Sequence, residues 1–284
     1  AFLIPIINLV GGTSILIYHH LPEQNQINKL NSFAEKVKNL FVRILSFFIR
    51  FADVIVVPSE MTKNELITKK QIKSEKIKVI YNPFELNDFQ FELDREEFFK
   101  SFKMPISEKT KIILNVGSEQ SRKNVKTIIA SLIGLKNEDY LLVKIGSPIS
   151  NDNHQEHRKI VDENQLNVKF ITEPLSEKDL FTFYKFSDLY VSPSLHEGFG
   201  RTVIEAQLYG LPVVASKIDI YKEVLKESAF FVEEPQKPGE WTKAWKVINS
   251  DSEMISKLRN SGYDNSKRFL VESLIQEWKT LLEK

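Results

Sequence analysis

The chain has 284 residues, enough for one or two domains with large cores. Its 39 Lys and Arg nearly cancel its 38 Asp and Glu, and a net charge of +1 is not the footprint of a general nucleic-acid binder. It contains no cysteine, which excludes disulfides and thiolate metal sites and fits a reducing, cytoplasmic setting.

The charge is unevenly spread. Residues 1–85 hold 11 basic and 7 acidic side chains, or +4, which leaves −3 for the remainder. No apolar run reaches the ~18–20 residues that a membrane span needs. The longest candidate, 40–57, is broken by Arg43, Arg50 and Asp53. The chain opens on Ala1 in an apolar stretch without Met, basic lead or cleavage pattern. That predicts a numbering that begins inside a longer protein.

In chain order, residues 1–12 are apolar up to Gly11-Gly12, and residues 13–18 (TSILIY) predict a buried strand that ends at His19-His20. From Ile27 to Arg50, Phe33, Val37, Leu40, Phe41, Ile44 and Phe48 step by three and four, the pattern of a long amphipathic helix. Residues 53–59 (DVIVVPS) predict a strand, with Ser59 placed to cap a helix. Residues 78–81 predict a third strand. Residues 84–109 are rich in charge and Phe, and read as an inter-domain connection with a short helix near 95–102. A sharper alternation follows, with strands at 111–117, 140–146, 168–172, 189–194, 213–216 and 229–232. Helices lie between them, and the chain is helical from Pro238. Continuously apolar strands that alternate with helices imply parallel sheets covered on both faces. The reading is α/β: two Rossmann-like doubly wound domains, the first incomplete, because a full unit has five or more strands. The expected boundaries are 1–107 for the first domain with its linker, 108–262 for the second, and 263–284 for a final helix that packs back on the first.

The stretch 192–216, SPSLHEGFGRTVIEAQLYGLPVVAS, carries most of the chemistry. It reads as strand end, turn, helix, turn, strand. In open parallel sheets ligands bind beyond the carboxyl ends of the strands, and the turn 195–200 is such an end. Gly198 and Gly200 let backbone N–H groups approach a ligand, and the following helix N-terminus suits phosphate. Glu197 and Glu205 lie eight residues apart, roughly 12 Å if helical. They can hold sugar hydroxyls on either side of a diphosphate, or simply be favoured near a helix N-terminus by its dipole.

The run Glu197-Gly-Phe-Gly to Glu205, with Asp188 before its strand, Pro193-Ser194 at the strand end and Gly210-Leu-Pro-Val-Val after the helix, resembles retaining glycosyltransferases of family 4. The resemblance implies a GT-B fold and a nucleoside diphosphate sugar bound mainly by the second domain. It implies that Glu197 binds donor-sugar hydroxyls, that Glu205 binds the ribose, and that Phe199 and Gly200 offer amides. His196 and Arg201 depart from the residues common there. Gly117 at a strand end, with Arg122-Lys123 before a helix, resembles the family's diphosphate cradle, although Ser118 stands where an arginine is frequent. Two cations there would stabilise the departing diphosphate. His19 resembles the strand-end histidine near the sugar, with His20 in place of the usual Asp. Glu223-Val224 resembles a Glu-Val that follows a loop touching the nucleotide, which makes Ile218 and Asp219 candidates. The family generally needs no bound metal, and no His/Asp/Glu spacing here suggests one.

His154 and His157, set among Asn, Asp, Gln and Lys, read as solvated loop, and Trp241, Trp245 and Trp278 as core. The 27–50 segment has Lys29, Lys36, Lys38, Arg43 and Arg50 against Glu35. It is either a core helix with a solvated face or a peripheral contact with anionic lipid at the inner face of a membrane. The predicted function is retaining sugar transfer to a hydroxyl of a glycan or lipid-linked acceptor. The alternatives are a GT-B phosphorylase or epimerase, and a non-catalytic nucleotide-sugar-binding partner subunit.

Overall fold

The computed structural model describes residues 13–19, 48–86, 89, 92–148 and 151–283. His20 and almost all of the predicted 27–50 helix lie outside them. The chain divides into two units, Ala1–Asn82 with Leu274–Lys284, and Pro83–Ser273.

In the first unit three strands, β1 (Ile15–Ile17), β2 (Val54–Val57) and β3 (Ile77–Val79), pair in parallel in that order. Successive side chains of a strand point to opposite faces, and β2 shows it. Ile55 and Val57 pack with Ile49, Leu66 and Ile77, while Val56 packs with Ile80 and Leu281. Helix α1 (Glu60–Lys70) starts where the Ser59 hydroxyl accepts the Thr62 N–H at 3.0 Å, as its sequence predicts. Strand β1 is not buried as its apolar sequence suggests. Ile15 is 37% and Ile17 53% exposed, because among the described residues β1 pairs only with β2 and forms the sheet edge. Ser14 fastens that edge. Its N–H and hydroxyl both donate to Asp53 Oδ2 at 2.8 Å, and these bonds hold the Asp53 carboxyl below its usual pKa.

The second unit holds six parallel strands: β4 (Lys111–Val116), β5 (Tyr140–Ile145), β6 (Val168–Ile171), β7 (Leu189–Ser192), β8 (Val213–Ser216) and β9 (Phe230–Val232). Their spatial order is β6-β5-β4-β7-β8-β9. That is the 3-2-1-4-5-6 order of dinucleotide-binding sheets, whose ligand crevice opens between the first and fourth strands. Here those are β4 and β7. Every residue of β5, β7 and β8 is buried. One core face joins Ile113, Leu142 and Val191 to Trp241 and Trp245. Trp278 is half-buried against the Val56 cluster of the first unit.

The described part of the predicted connection, 84–109, is not a bare linker. Helix α2 (Arg95–Ser101), with a capping box between Asp94 and Glu97, buries Phe98 and Phe99 in the second unit. Phe98 and Phe102 meet the Phe183 ring of helix α5 (Glu177–Phe186) at 4.8 and 4.9 Å between centroids, after α3 (Val125–Ser131) and α4 (Asn151–Asn164) in the chain. Arg95 donates to Asp188 Oδ2 at 2.8 Å and to the Thr110 carbonyl at 2.9 Å. These contacts put the division at Asn82/Pro83 instead of 107/108. The C-terminal segment also divides. Helix α6 (Arg201–Leu208), α7 (Asp219–Leu225), α8 (Pro238–Asn249) and α9 (Ser252–Ser266) belong to the second unit, whereas α10 (Val271–Leu282) joins the first from Leu274. Among the described residues no helix is long and apolar enough to cross a membrane.

Candidate active site

The loops that leave β4 and β7 meet at the crevice. After β4, Gly117 ends the strand, and Ser121–Lys123 form a single 3-10 turn before α3. After β7, the chain turns through Pro193 to Gly200 and enters α6. One backbone bond joins the loops, from the Leu195 N–H to the Arg122 carbonyl at 2.7 Å.

Side chains complete the junction. Lys123 Nζ donates to Glu197 Oε1 at 2.5 Å, and Arg122 Nη1 donates to Glu197 Oε2 at 3.0 Å and to the His196 carbonyl at 3.1 Å. The Ser194 hydroxyl adds a bond to Oε1 at 2.8 Å. The Glu197 side chain is 8% exposed. Burial alone would raise its pKa, but the Lys123 charge and bond, then Ser194 and Arg122, outweigh burial and hold the carboxyl below the usual range. Glu197, Arg122 and Lys123 therefore form one compensated cluster. With two cations to one carboxylate, the cluster carries an excess of positive charge.

Glycine is required at the entry to α6. Gly200 has φ +87°, and a Cβ there would lie 2.6 Å from Cε1 of Tyr221. Tyr221 is fully buried, shares a hydrogen with Ser192 across 2.5 Å, and places its hydroxyl 3.5 Å from Glu197 Oε1. Gly200 thus lets the chain pass over the ring that backs Glu197. Gly146, at the end of β5, is the second such position. A Cβ there would meet the Gly117 carbonyl at 2.1 Å, so only glycine lets the two strand ends cross.

Glu205 lies within α6, and three of the seven residues between it and Glu197, Gly198 to Gly200, are turn, not helix. It accepts the Tyr184 hydroxyl at 3.0 Å and has Arg201 Nε at 3.7 Å. Its pKa is raised. Burial dominates, against the lowering by Arg201 and Tyr184. Arg201, which departs from the family pattern, also lies 4.3 Å from the Phe84 ring centroid. Phe199 is buried between Phe84 and Phe269, with centroids at 6.4 and 5.6 Å, so its side chain serves packing.

Seven of the predicted residues, Gly117, Arg122, Lys123, Glu197, Gly198, Phe199 and Gly200, thus share these two loops, and Glu205 follows in α6. His19 follows β1 in the first unit. Asp219 is exposed at the start of α7 and pairs with Lys222 at 2.7 Å. Ile218 precedes that helix and Glu223 lies within it.

His154 and His157 are not solvated loop. Both are on α4, and their Nδ1 atoms lie 2.9 and 2.7 Å from the two carboxylate oxygens of buried Glu119. Sequence reasoning also misses Ser194, Tyr221 and Tyr184, which orient the two glutamates, and Lys144, a buried amine on β5. The Lys144 ammonium donates to the carbonyls of Gly117 and Ile145, and burial pulls its pKa down to about 8. A lysine inside the otherwise apolar run YLLVKI is the one local signal that could have marked it. Among the described residues no group of three or more His, Cys, Asp or Glu could hold a metal ion.

Residues 96–265 match the profile of the glycosyl transferases group 1, and residues 7–88 that of glycosyltransferase family 4. The chain is 27% identical over 246 residues to the O-antigen chain mannosyltransferase RfbU of Salmonella typhimurium, covering 84% of this chain and 64% of RfbU. It is 28% identical over 211 residues to the capsular polysaccharide biosynthesis glycosyltransferase CapM of Staphylococcus aureus, covering 70% of this chain and 53% of CapM. The chain thus spans less than two thirds of the length of either relative. Among solved structures, HepE of Anabaena in complex with UDP and glucose matches with a TM-score of 0.81 at 19% identity, over 99% of this chain and 74% of that one. That likeness is one of fold.

Proposed function

The chain belongs to the glycosyl transferases of group 1, with the GT-B fold, and we propose that it moves a sugar from a nucleoside diphosphate sugar to a hydroxyl of a glycan or lipid-linked acceptor, with retention at the anomeric carbon. The carrying observation is the Glu197–Arg122–Lys123 cluster at the β4/β7 crevice. A diphosphate that enters there takes over hydrogen bonds from Lys123 and Arg122. Glu197 then has oxygen lone pairs for sugar hydroxyls, and Glu205 offers a carboxylate to the ribose. As the bond from the anomeric carbon to the diphosphate breaks, negative charge grows on the leaving oxygen. The two cations and the α6 N-terminus are fixed beforehand to meet it. The acceptor hydroxyl attacks on the face the diphosphate leaves, and its proton departs with the diphosphate. Arg122 and Lys123 supply the neutralising charge, so the reading needs no metal ion.

Support from relatives is of the same kind. RfbU is named as an O-antigen chain mannosyltransferase and CapM as a capsular polysaccharide biosynthesis glycosyltransferase, and HepE is described with UDP and glucose. The proposal includes a cytoplasmic reaction, with any lipid-linked acceptor met at the inner membrane face. Replacing Glu197 or Lys123 by Ala should depress transfer by two or more orders of magnitude and leave the circular dichroism spectrum unchanged. Near-normal turnover in both variants would contradict the assignment. Donor binding with no turnover by the wild type would favour the binding-subunit reading.

A further inference from the structure

We propose that Glu119, His154 and His157 form a positioning clamp behind the diphosphate loop, which presets Arg122 and Lys123 without touching the donor. The proposal rests on the donor-site reading above.

Glu119 lies two residues beyond Gly117, and its side chain is 0% exposed. A buried carboxylate persists only where its lone pairs are satisfied. Here each oxygen has its own histidine, at 2.9 Å from His154 and 2.7 Å from His157. A carboxylate only accepts, so both Nδ1 atoms carry the hydrogen. Arg158 Nε donates to His154 Nε2 at 3.1 Å, so the ring is held at both nitrogens, with Nδ1 turned to Glu119. Burial pushes the Glu119 pKa up, but the bonds from His157 and His154 pull it below the usual range, and the group stays charged.

The backbone is held as well. The Glu119 N–H donates to the Ser147 carbonyl, and Asn153 Nδ2 donates to the Glu119 carbonyl, each at 3.4 Å. Lys144, from β5, holds the Gly117 carbonyl. The other charged groups around the cluster are Glu156 on α4, paired with Lys126 of α3 at 2.6 Å, Arg158 over the Phe170 ring, and Lys123 itself. From this anchor one turn remains. The Lys123 N–H bonds the Gln120 carbonyl at 2.8 Å, so the direction of residues 121–123 follows from where Glu119 is held. A helix on one side of the loop thereby sets the two cations that reach Glu197 on the other.

A merely structural clamp would lower stability and weaken all nucleotides alike. A positioning clamp acts on the phosphate that Arg122 and Lys123 hold. The test measures affinities of UDP and UMP by calorimetry, with the GDP/GMP and ADP/AMP pairs run beside them, for the wild type, Glu119→Gln, His157→Leu and His157→Asn. The expected result is a roughly tenfold or greater loss of diphosphate affinity in Glu119→Gln and His157→Leu. Monophosphate affinity should change less than about twofold. His157→Asn should recover the diphosphate preference, because its amide nitrogen stands where Nδ1 stood. His154→Leu carries the same measurement if His157→Leu does not fold. An unchanged ratio of diphosphate to monophosphate affinity in these variants would overturn the clamp while leaving the donor site intact. A wild type that binds no nucleotide of the panel overturns the donor-site reading and the clamp with it.

Discussion

Replacing Gly200 by Ala tests whether the entry to α6 is fixed by sterics. The residue sits at φ +87°, and a left-handed conformation costs a non-glycine residue ~1–2 kcal/mol. The new methyl would also lie 2.6 Å from Tyr221 Cε1 and 3.3 Å from Cδ1, in a ring that is fully buried and bonded to Ser192. Overpacking of that kind costs ~1–3 kcal/mol more, for a total of roughly 2–5 kcal/mol. Gly210 supplies the control. Its φ is +73°, yet a Cβ there meets nothing within 4 Å, so Gly210→Ala should cost only the conformational part. Equilibrium urea unfolding of the wild type and both variants reads the difference. The Tyr221 hydroxyl lies 3.5 Å from Glu197 Oε1, so Gly200→Ala should also reduce the preference for the sugar nucleotide over the bare diphosphate, whereas Gly210→Ala should not. Equal destabilisation by the two substitutions would refute the steric argument.

Other predictions follow from the buried polar groups. Lys144 has a folded pKa of about 8 against 10.5, so the unfolded chain binds more protons between those values and stability rises with pH there. The wild type should gain about 2 kcal/mol over Lys144→Met between pH 7.5 and 9.5, and parallel stability profiles would contradict it. Glu197→Gln should keep nucleoside diphosphate binding, since Lys123 and Arg122 remain, but lose the preference for the sugar nucleotide over the bare diphosphate. Calorimetry with both ligands decides, and an intact preference would remove Glu197 from the sugar site. Tyr184→Phe deletes the hydroxyl that Glu205 accepts at 3.0 Å and should cost ~1–3 kcal/mol of stability, read from the urea midpoint; no loss would mean that the bond contributes nothing. Co-sedimentation with anionic vesicles at low and high salt tests the basic 27–50 segment, and lack of binding at low salt would exclude a lipid role.

What the sequence shows of this molecule is what is local in it. Apolar runs such as LYVS and VVAS announce buried parallel strands because both faces of each are covered. Arg122-Lys123 and the Glu197 turn are recognisable as short motifs, although their meeting across 74–75 residues is supplied by the order β4-β7. Pairings without a local signature stay hidden. Glu119 lies 35 and 38 residues from its two histidines, and Arg95 lies 93 from Asp188. Hydrophilic neighbours make the His154 helix look solvated, when one face of it turns inward to a carboxylate. Strand β1 fails in the other sense. Its apolar sequence suggests burial, but pairing on one side only leaves Ile15 and Ile17 exposed among the described residues.

The most direct test is the stability of the wild type and Lys123→Ala in a panel of UDP-, GDP- and ADP-sugars. If the Glu197–Arg122–Lys123 cluster is a donor site, one sugar nucleotide at 100 times its dissociation constant should stabilise the wild type by ~2.7 kcal/mol. Lys123→Ala should lose most of that gain. A panel in which nothing stabilises the wild type, or in which Lys123→Ala responds equally, would contradict the assignment of this crevice to a nucleotide sugar.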